Sequence, residues 1–247
     1  LPETLPAAHA VPEEDYRALV QALCAQQQAL ETRMNAQYQD MLDYYTLWAH
    51  QIKTPIASMR LTLQNEDSDL ARSLSGDLMR VEQYVEMVLV FLRLDSSTTD
   101  YVIRAHSLDD IVRPAVRKFA GEFIRRRLRL DYQSLDRTVV TDAKWLGFVV
   151  EQVLSNALKY TPEGGSITID AEAPATLCIR DTGIGITAED LPRIFDRGYT
   201  GRNGRTYRQA SGIGLYLCRL IVTRLGGDIR VCPEYRAGCC IDIVLPC

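Results

Sequence analysis

The chain has 247 residues, 47% hydrophobic and 24% charged, enough apolar material to bury a sizeable core in one or two domains. A formal net charge of −4 provides no basic excess for neutralising a phosphate backbone, so nucleic acid is not an expected partner. The seven cysteines form no CxxC pair and no metal-ligand set with a histidine, which argues against zinc and for small core hydrophobes in a reducing compartment.

Residues 1–12 start at Leu1 and carry Pro2, Pro6 and Pro12, and read as a flexible leader. No signal-peptide pattern is present, and no apolar run approaches the roughly 18 to 20 residues that span a bilayer. From Glu13 to Gln64 there is no glycine and one proline, Pro55. Apolar residues recur at Met34, Tyr38, Met41, Tyr45, Trp48, Ile52, Ile56, Met59 and Leu63, in steps of three and four, which predicts a long helix with a bundle seam. At about 100° per residue His50 projects nearly opposite that seam, with Thr54 one turn later on the same outer face. His50 is therefore expected in solvent, where a structural histidine would sit on the seam with a partner. Pro55 frees the carbonyl of Gln51 and predicts a kink one turn beyond the histidine.

After the polar turn Asn65–Asp69, a second bundle pattern runs through Leu70, Leu74, Leu78, Val81, Val85, Val88 and Leu92. Residues 13–95 are thus predicted to form a helical hairpin, and its exposed apolar stripe is most simply buried by a second copy, giving a dimeric four-helix bundle.

Residues 96–100 read as a linker, and 101–247 as a second domain. Strand patterns fall at 101–105, 127–132, 137–141, 166–171, 176–180, 228–232 and 239–245, between helices near 107–124, 142–160 and 211–225. This mixed order predicts an α/β sandwich, with helices on one face of a mixed sheet. His106 is expected just before a helix cap at Ser107, and the run Arg125-Arg126-Arg127 with Arg129 as a solvated edge where helix meets strand.

Gln152, Asn156, Lys159 and Tyr160 share one face of the middle helix, so one surface can offer an amide oxygen to Mg2+, a cation to phosphate and a ring to a base. Asp181 follows the strand at 176–180 and precedes Gly183 and Gly185, whose missing side chains let backbone approach a flat ligand. Ser211-Gly212-Ile213-Gly214-Leu215 opens a helix, a natural phosphate site. Between Phe195 and Ser211 lie Gly198, Gly201 and Gly204 with Arg197, Arg202, Arg205 and Arg208, a glycine-hinged basic segment.

His50-Gln51-Ile52-Lys53-Thr54-Pro55 resembles the phosphorylation box of bacterial sensor histidine kinases, and the Asn156, Asp181–Gly185 and Gly212–Gly214 blocks resemble the N, G1 and G2 boxes of their ATP-binding domain. The likeness covers nearly everything after about residue 40. It implies a GHKL-type (histidine kinase/Hsp90-like) ATPase fold, ATP and Mg2+ as ligands, and His50 as phosphoacceptor. It assigns Asn156 to the metal, Lys159 and Tyr160 to the nucleotide, Asp181 to the adenine amino group and the Arg197 segment to a lid over the triphosphate. Gly183, Gly185, Gly212, Gly214 and Leu215 complete the nucleotide set. The position four before Asn156 is Glu or Asn in many relatives and Gln152 here, with Glu151 adjacent, so either residue is open as the metal's support. Thr54 matches a position associated with dephosphorylating the response regulator. Gln51 stands where many relatives carry an acid, and an amide cannot take a proton at neutral pH. Phosphate would pass to an aspartate of a response regulator. The stretch Tyr44–Ser58 is similar to the intramembrane-sensing subgroup that answers bacitracin and related peptides, which implies a cytoplasmic fragment of a membrane-anchored kinase and a peptide-exporting ABC transporter as a partner. Two rivals are an ATP-binding pseudokinase scaffold signalling by shape, which Gln51 alone supports, and a chaperone or mismatch-repair ATPase, which would lack the histidine hairpin.

Overall fold

The glycine-free stretch folds as one helix, α1 (Val11–Gln64, 54 residues), in the computed structural model of the chain. The structure describes residues 11–66, 68–95, 101–172, 175–201, 211–232, 235 and 237–246. The expected leader up to residue 10, the linker 96–100, Cys247, and Arg202, Gly204, Arg205 and Arg208 lie outside the described residues. Helix assignment continues through Pro55. A turn follows, in which the Ser68 hydroxyl accepts the Ala71 N–H at 3.1 Å and caps α2 (Asp69–Asp95). Two compact units divide within α2, Leu1–Val85 and Glu86–Cys247.

In the first unit, α1 buries Leu42, Ala49 and Ile56, seven residues apart, and the first part of α2 buries Ala71 and Val85. Arg60 pairs with Glu82 across the hairpin at 3.1 Å. Of the expected seam, Ile56 is buried, while Met34, Met41, Tyr45, Trp48 and Met59 stay exposed within one chain; the buried Leu42 and Ala49 each lie one position beyond a seam residue, Met41 and Trp48.

The second unit contains β1 (Arg104–Ser107), α3 (Leu108–Lys118), α4 (Ala120–Arg125), β2 (Arg129–Tyr132), β3 (Thr138–Thr141), α5 (Ala143–Tyr160), β4 (Ser166–Glu172), β5 (Thr176–Asp181), a 3-10 turn at Leu191–Arg193, α6 (Gly214–Arg224), β6 (Asp228–Val231) and β7 (Cys239–Val244). The chain is thus a helical N-terminal region followed by an α/β sandwich. β1 and β3 pair antiparallel, and the main sheet has the order β2-β4-β5-β7-β6, parallel only between β2 and β4. α5 packs against α3, α6 and β5. Its N-terminus is held by Asp142, which accepts N–H bonds from Lys144 (2.9 Å) and Trp145 (3.1 Å) through Oδ1 and from Val102 (2.8 Å) through Oδ2.

Two local expectations differ. The helix expected over 107–124 breaks at Phe119, where a tight turn lets both Phe119 and Phe123 enter the core. Ser107 occupies the cap position without a side-chain bond, and the Leu108 N–H donates instead to the Arg137 carbonyl at 2.9 Å. Arg125 pairs with Glu122, Arg126 donates to the Thr161 carbonyl at 2.7 Å and Arg127 faces Glu163 at 3.4 Å, as a charged edge should.

Candidate nucleotide site and exposed histidine

Strand period places Asp181. In β5, Leu177, Ile179 and Asp181 share one face, and across the ladder they stand opposite Ile243, Ile241 and Cys239 of β7. The other neighbour, β4, sets Ile167 opposite Asp181. The carboxylate is therefore carried into an apolar row and is buried. Its Oδ1 accepts the Gly183 N–H at 2.8 Å and the Cys239 N–H at 3.2 Å. Burial raises its pKa above the ordinary 3.8, and the two N–H donors oppose that rise. Both donors fall on one oxygen, so the second oxygen is the one available to a ligand.

The chain after β5 is pressed against the end of α5. Ile184 donates its N–H to the Tyr160 carbonyl at 3.2 Å, and a Cβ on Gly183 would stand 2.5 Å from that same oxygen. Only glycine permits this approach. It brings Asp181, Gly183 and Gly185 to the last turn of α5, where Asn156, Lys159 and Tyr160 are each half-buried. The Lys159 ammonium sits over the Tyr160 ring at 5.0 Å.

One turn earlier, Gln152 is buried, and its Oε1 lies 3.0 Å from where a Cβ on Gly214 would be. Gln152 thus abuts the first residue of α6, while Glu151 is paired with Lys118 of α3. Of the two side chains left open by the sequence, Gln152 is the one beside the glycine-rich turn. Gly212 adopts φ +67°, its carbonyl accepts the Gly198 N–H at 2.9 Å, and a Cβ there would lie 2.4 Å from the Gly198 carbonyl carbon. Leu215 is half-buried in the first turn of α6. Arg197 is exposed, and its guanidinium lies 5.0 Å from the centre of the Phe91 ring. Phe195, half-buried, carries the Arg219 guanidinium at 5.5 Å.

Several residues at the site were not anticipated. Gly238 approaches so closely that a Cβ would meet the Asp181 carbonyl oxygen at 2.0 Å, and Cys239 follows it. Burial and the neighbouring Asp181 charge push the Cys239 thiol up to about 12. A glycine immediately before an apolar strand was the available signal. Asp190, also buried, accepts the Tyr199 hydroxyl at 2.6 Å and fixes the segment leading to Gly201. A lone aspartate in a polar loop carries no such message in sequence.

In the other unit, His50, Gln51 and Thr54 are all exposed on α1, and Ala49 beside them is fully buried. One-hundred-degree rotation per residue makes that alternation coherent. The Thr54 hydroxyl lies 3.5 Å from the His50 carbonyl, a long contact. Among the described residues no group of three or more metal-ligating side chains occurs and no helix is long and apolar enough to cross a membrane.

Residues 141–247 match the family described as histidine kinase-, DNA gyrase B- and HSP90-like ATPase. Sensor histidine kinase YxdK of Bacillus subtilis is 33% identical over 197 residues, covering 76% of this chain and 59% of that protein. Sensor histidine kinase GraS of Staphylococcus haemolyticus is 35% identical over 206 residues, covering 81% of this chain and 60% of its own length. The chain thus spans about three fifths of these relatives. In structure, full-length ShkA in complex with AMPPNP resembles it with a TM-score of 0.57 at 20% identity, over 83% of this chain and 46% of that one, a likeness of fold.

Proposed function

We propose, on the premise that this chain is part of a bacterial sensor histidine kinase whose residues 141–247 are its ATPase domain, that it autophosphorylates His50 from Mg·ATP. The phosphate then passes to an aspartate of a response regulator. The observation that carries this reading is the pairing of an exposed histidine, next to a fully buried alanine on a bundle helix, with a buried carboxylate framed by glycines in a separate unit. A nitrogen lone pair of the imidazole would form the N–P bond as the bond from the γ-phosphorus to the bridging oxygen breaks and ADP leaves, with the ring proton going to solvent.

The residues suit this task. The uncommitted oxygen of Asp181 can accept an exocyclic amino group of a base, and Lys159, Arg197 and the N-terminus of α6 offer positive charge to phosphates. Asn156, with Gln152 beside it, would hold Mg2+, since amide oxygens are hard ligands of the right kind. When bound, that ion would offset phosphate charge. Gln51 can orient the imidazole but cannot accept its proton at neutral pH. Thr54 fits a phosphatase role toward the regulator.

The exposed stripe Met41, Tyr45, Trp48 and Met59 supports a homodimeric four-helix bundle. The domain limits that go with this reading are a leader at 1–12, a phosphotransfer hairpin at 13–95, a linker at 96–100 and the ATP-binding domain at 101–247. The similarity of Tyr44–Ser58 to the intramembrane-sensing subgroup is what supports a cytoplasmic location beneath a membrane anchor, a response to cell-envelope antibiotics and an ABC transporter as further partner.

The test is incubation with Mg·ATP and detection of acid-labile, base-stable phosphate. Label is expected in the parent and absent from His50→Ala. Label persisting in the variant would remove His50 from the mechanism, and a parent that binds ATP without labelling would favour the scaffold reading.

A further inference from the structure

The last turns of α2 belong to the same compact unit as the nucleotide site. Met87, Phe91 and Leu94 lie four and three residues apart and so share one helical face. Each meets a different part of the site's frame. The Met87 sulfur is 3.8 Å from where a Cβ on Gly214 would stand, the Phe91 ring receives the Arg197 guanidinium at 5.0 Å, and the Leu94 carbonyl accepts a hydrogen bond from Arg224. Gly214 and Arg224 are the two ends of α6. This face of α2 therefore runs along α6 and meets Arg197 at Phe91, between those two contacts.

The backbone around Arg197 is fixed from two further directions. Gly198 donates to the Gly212 carbonyl at 2.9 Å, and Phe195 lies under Arg219. Arg197 is consequently one residue from the glycine turn that opens α6. Its exposed side chain would otherwise sample many rotamers. The Phe91 ring beneath the guanidinium carbon removes much of that freedom and leaves N–H groups of the guanidinium able to meet an anion, which lowers the ordering cost of binding phosphate.

From this geometry we propose that Phe91 is a positioning residue of the nucleotide site, preorganising Arg197 for the phosphates of ATP. The ATP site is then incomplete without the end of α2. The proposal rests on the reading of this site as a nucleotide pocket, and by linkage a bound nucleotide must strengthen the hold of α2 on the domain to the same degree.

The test is calorimetric titration of the whole chain with Mg·AMPPNP. Phe91→Leu, which keeps bulk and removes the ring's electron-rich face, is expected to weaken binding by about three- to tenfold. Phe91→Tyr should restore the parent affinity. In an Arg197→Ala background, Phe91→Leu should have no further effect, whereas a purely packing role would give the same loss with and without Arg197. Equal losses in both backgrounds, unchanged or tighter binding in Phe91→Leu, or failure of Phe91→Tyr to rescue would each overturn the proposal. A parent that binds no Mg·AMPPNP would instead overturn the nucleotide reading and take this inference with it.

Discussion

Asp181 and His50 show opposite uses of burial. Asp181 is driven inward by strand parity, and burial makes its charged form costly. An acid whose folded pKa is raised binds its proton more readily folded than unfolded. The resulting penalty is present above the folded pKa and is lost as pH falls through it toward 3.8. Asp181→Asn keeps a carbonyl oxygen for both N–H donors and sheds the charge. Its melting temperature at pH 7 is expected to equal or exceed the parent's, with the gap narrowing on acidification, while the thermal shift caused by Mg·ATP disappears. Thermal unfolding across pH with and without nucleotide reads both effects, and a variant less stable than the parent at neutral pH would contradict the burial account. His50, by contrast, is exposed. Gln51 beside it lacks a basic oxygen, so Gln51→Glu should raise the initial rate of phosphohistidine formation. An unchanged or slower rate would show that proton removal does not limit the step.

Elements meet through residues too small to attract notice in a sequence pattern. Ala49 is a fully buried position of α1, and Gly183 is where the chain after β5 approaches the end of α5. Overpacking a filled contact typically costs about 1–3 kcal/mol. Ala49→Leu should destabilise the protein by about that amount in thermal unfolding, whereas exposed Leu61→Ala should change stability by less than about 0.5 kcal/mol. Gly183→Ala has a sharper expected result. Its methyl would stand 2.5 Å from the Tyr160 oxygen, so the strand end must shift and Asp181 with it. Nucleotide affinity is expected to fall at least about tenfold, a change of about 1.4 kcal/mol, measurable by the same titration.

For the whole molecule, association is the open consequence. An exposed stripe of Met41, Tyr45, Trp48 and Met59, nearly opposite His50 on α1, is the kind of apolar surface that a symmetric copy covers. Sedimentation equilibrium is expected to find the parent dimeric and Trp48→Asp monomeric, since a carboxylate cannot be buried at such a seam without a partner. A parent that remains monomeric at micromolar concentration would refute the bundle.

Much of this protein was already determined by its sequence. The two periodicities, 3.6 and 2, located the hairpin and the alternating sheet, because burial of apolar faces leaves a pattern along the chain. The motif residues from His50 to Gly214 could be picked out for a similar reason, since glycines and a strand-end aspartate stand out against those patterns. What only the tertiary structure decided was which small residue meets which neighbour. It buried Ala49, chose Gln152 over Glu151 beside Gly214, placed Gly238 and Cys239 against Asp181, and laid Phe91 under Arg197. Those contacts join positions tens of residues apart, and their selection depends on helix rotation and strand register, quantities that packing of the whole core fixes and no local run of residues encodes.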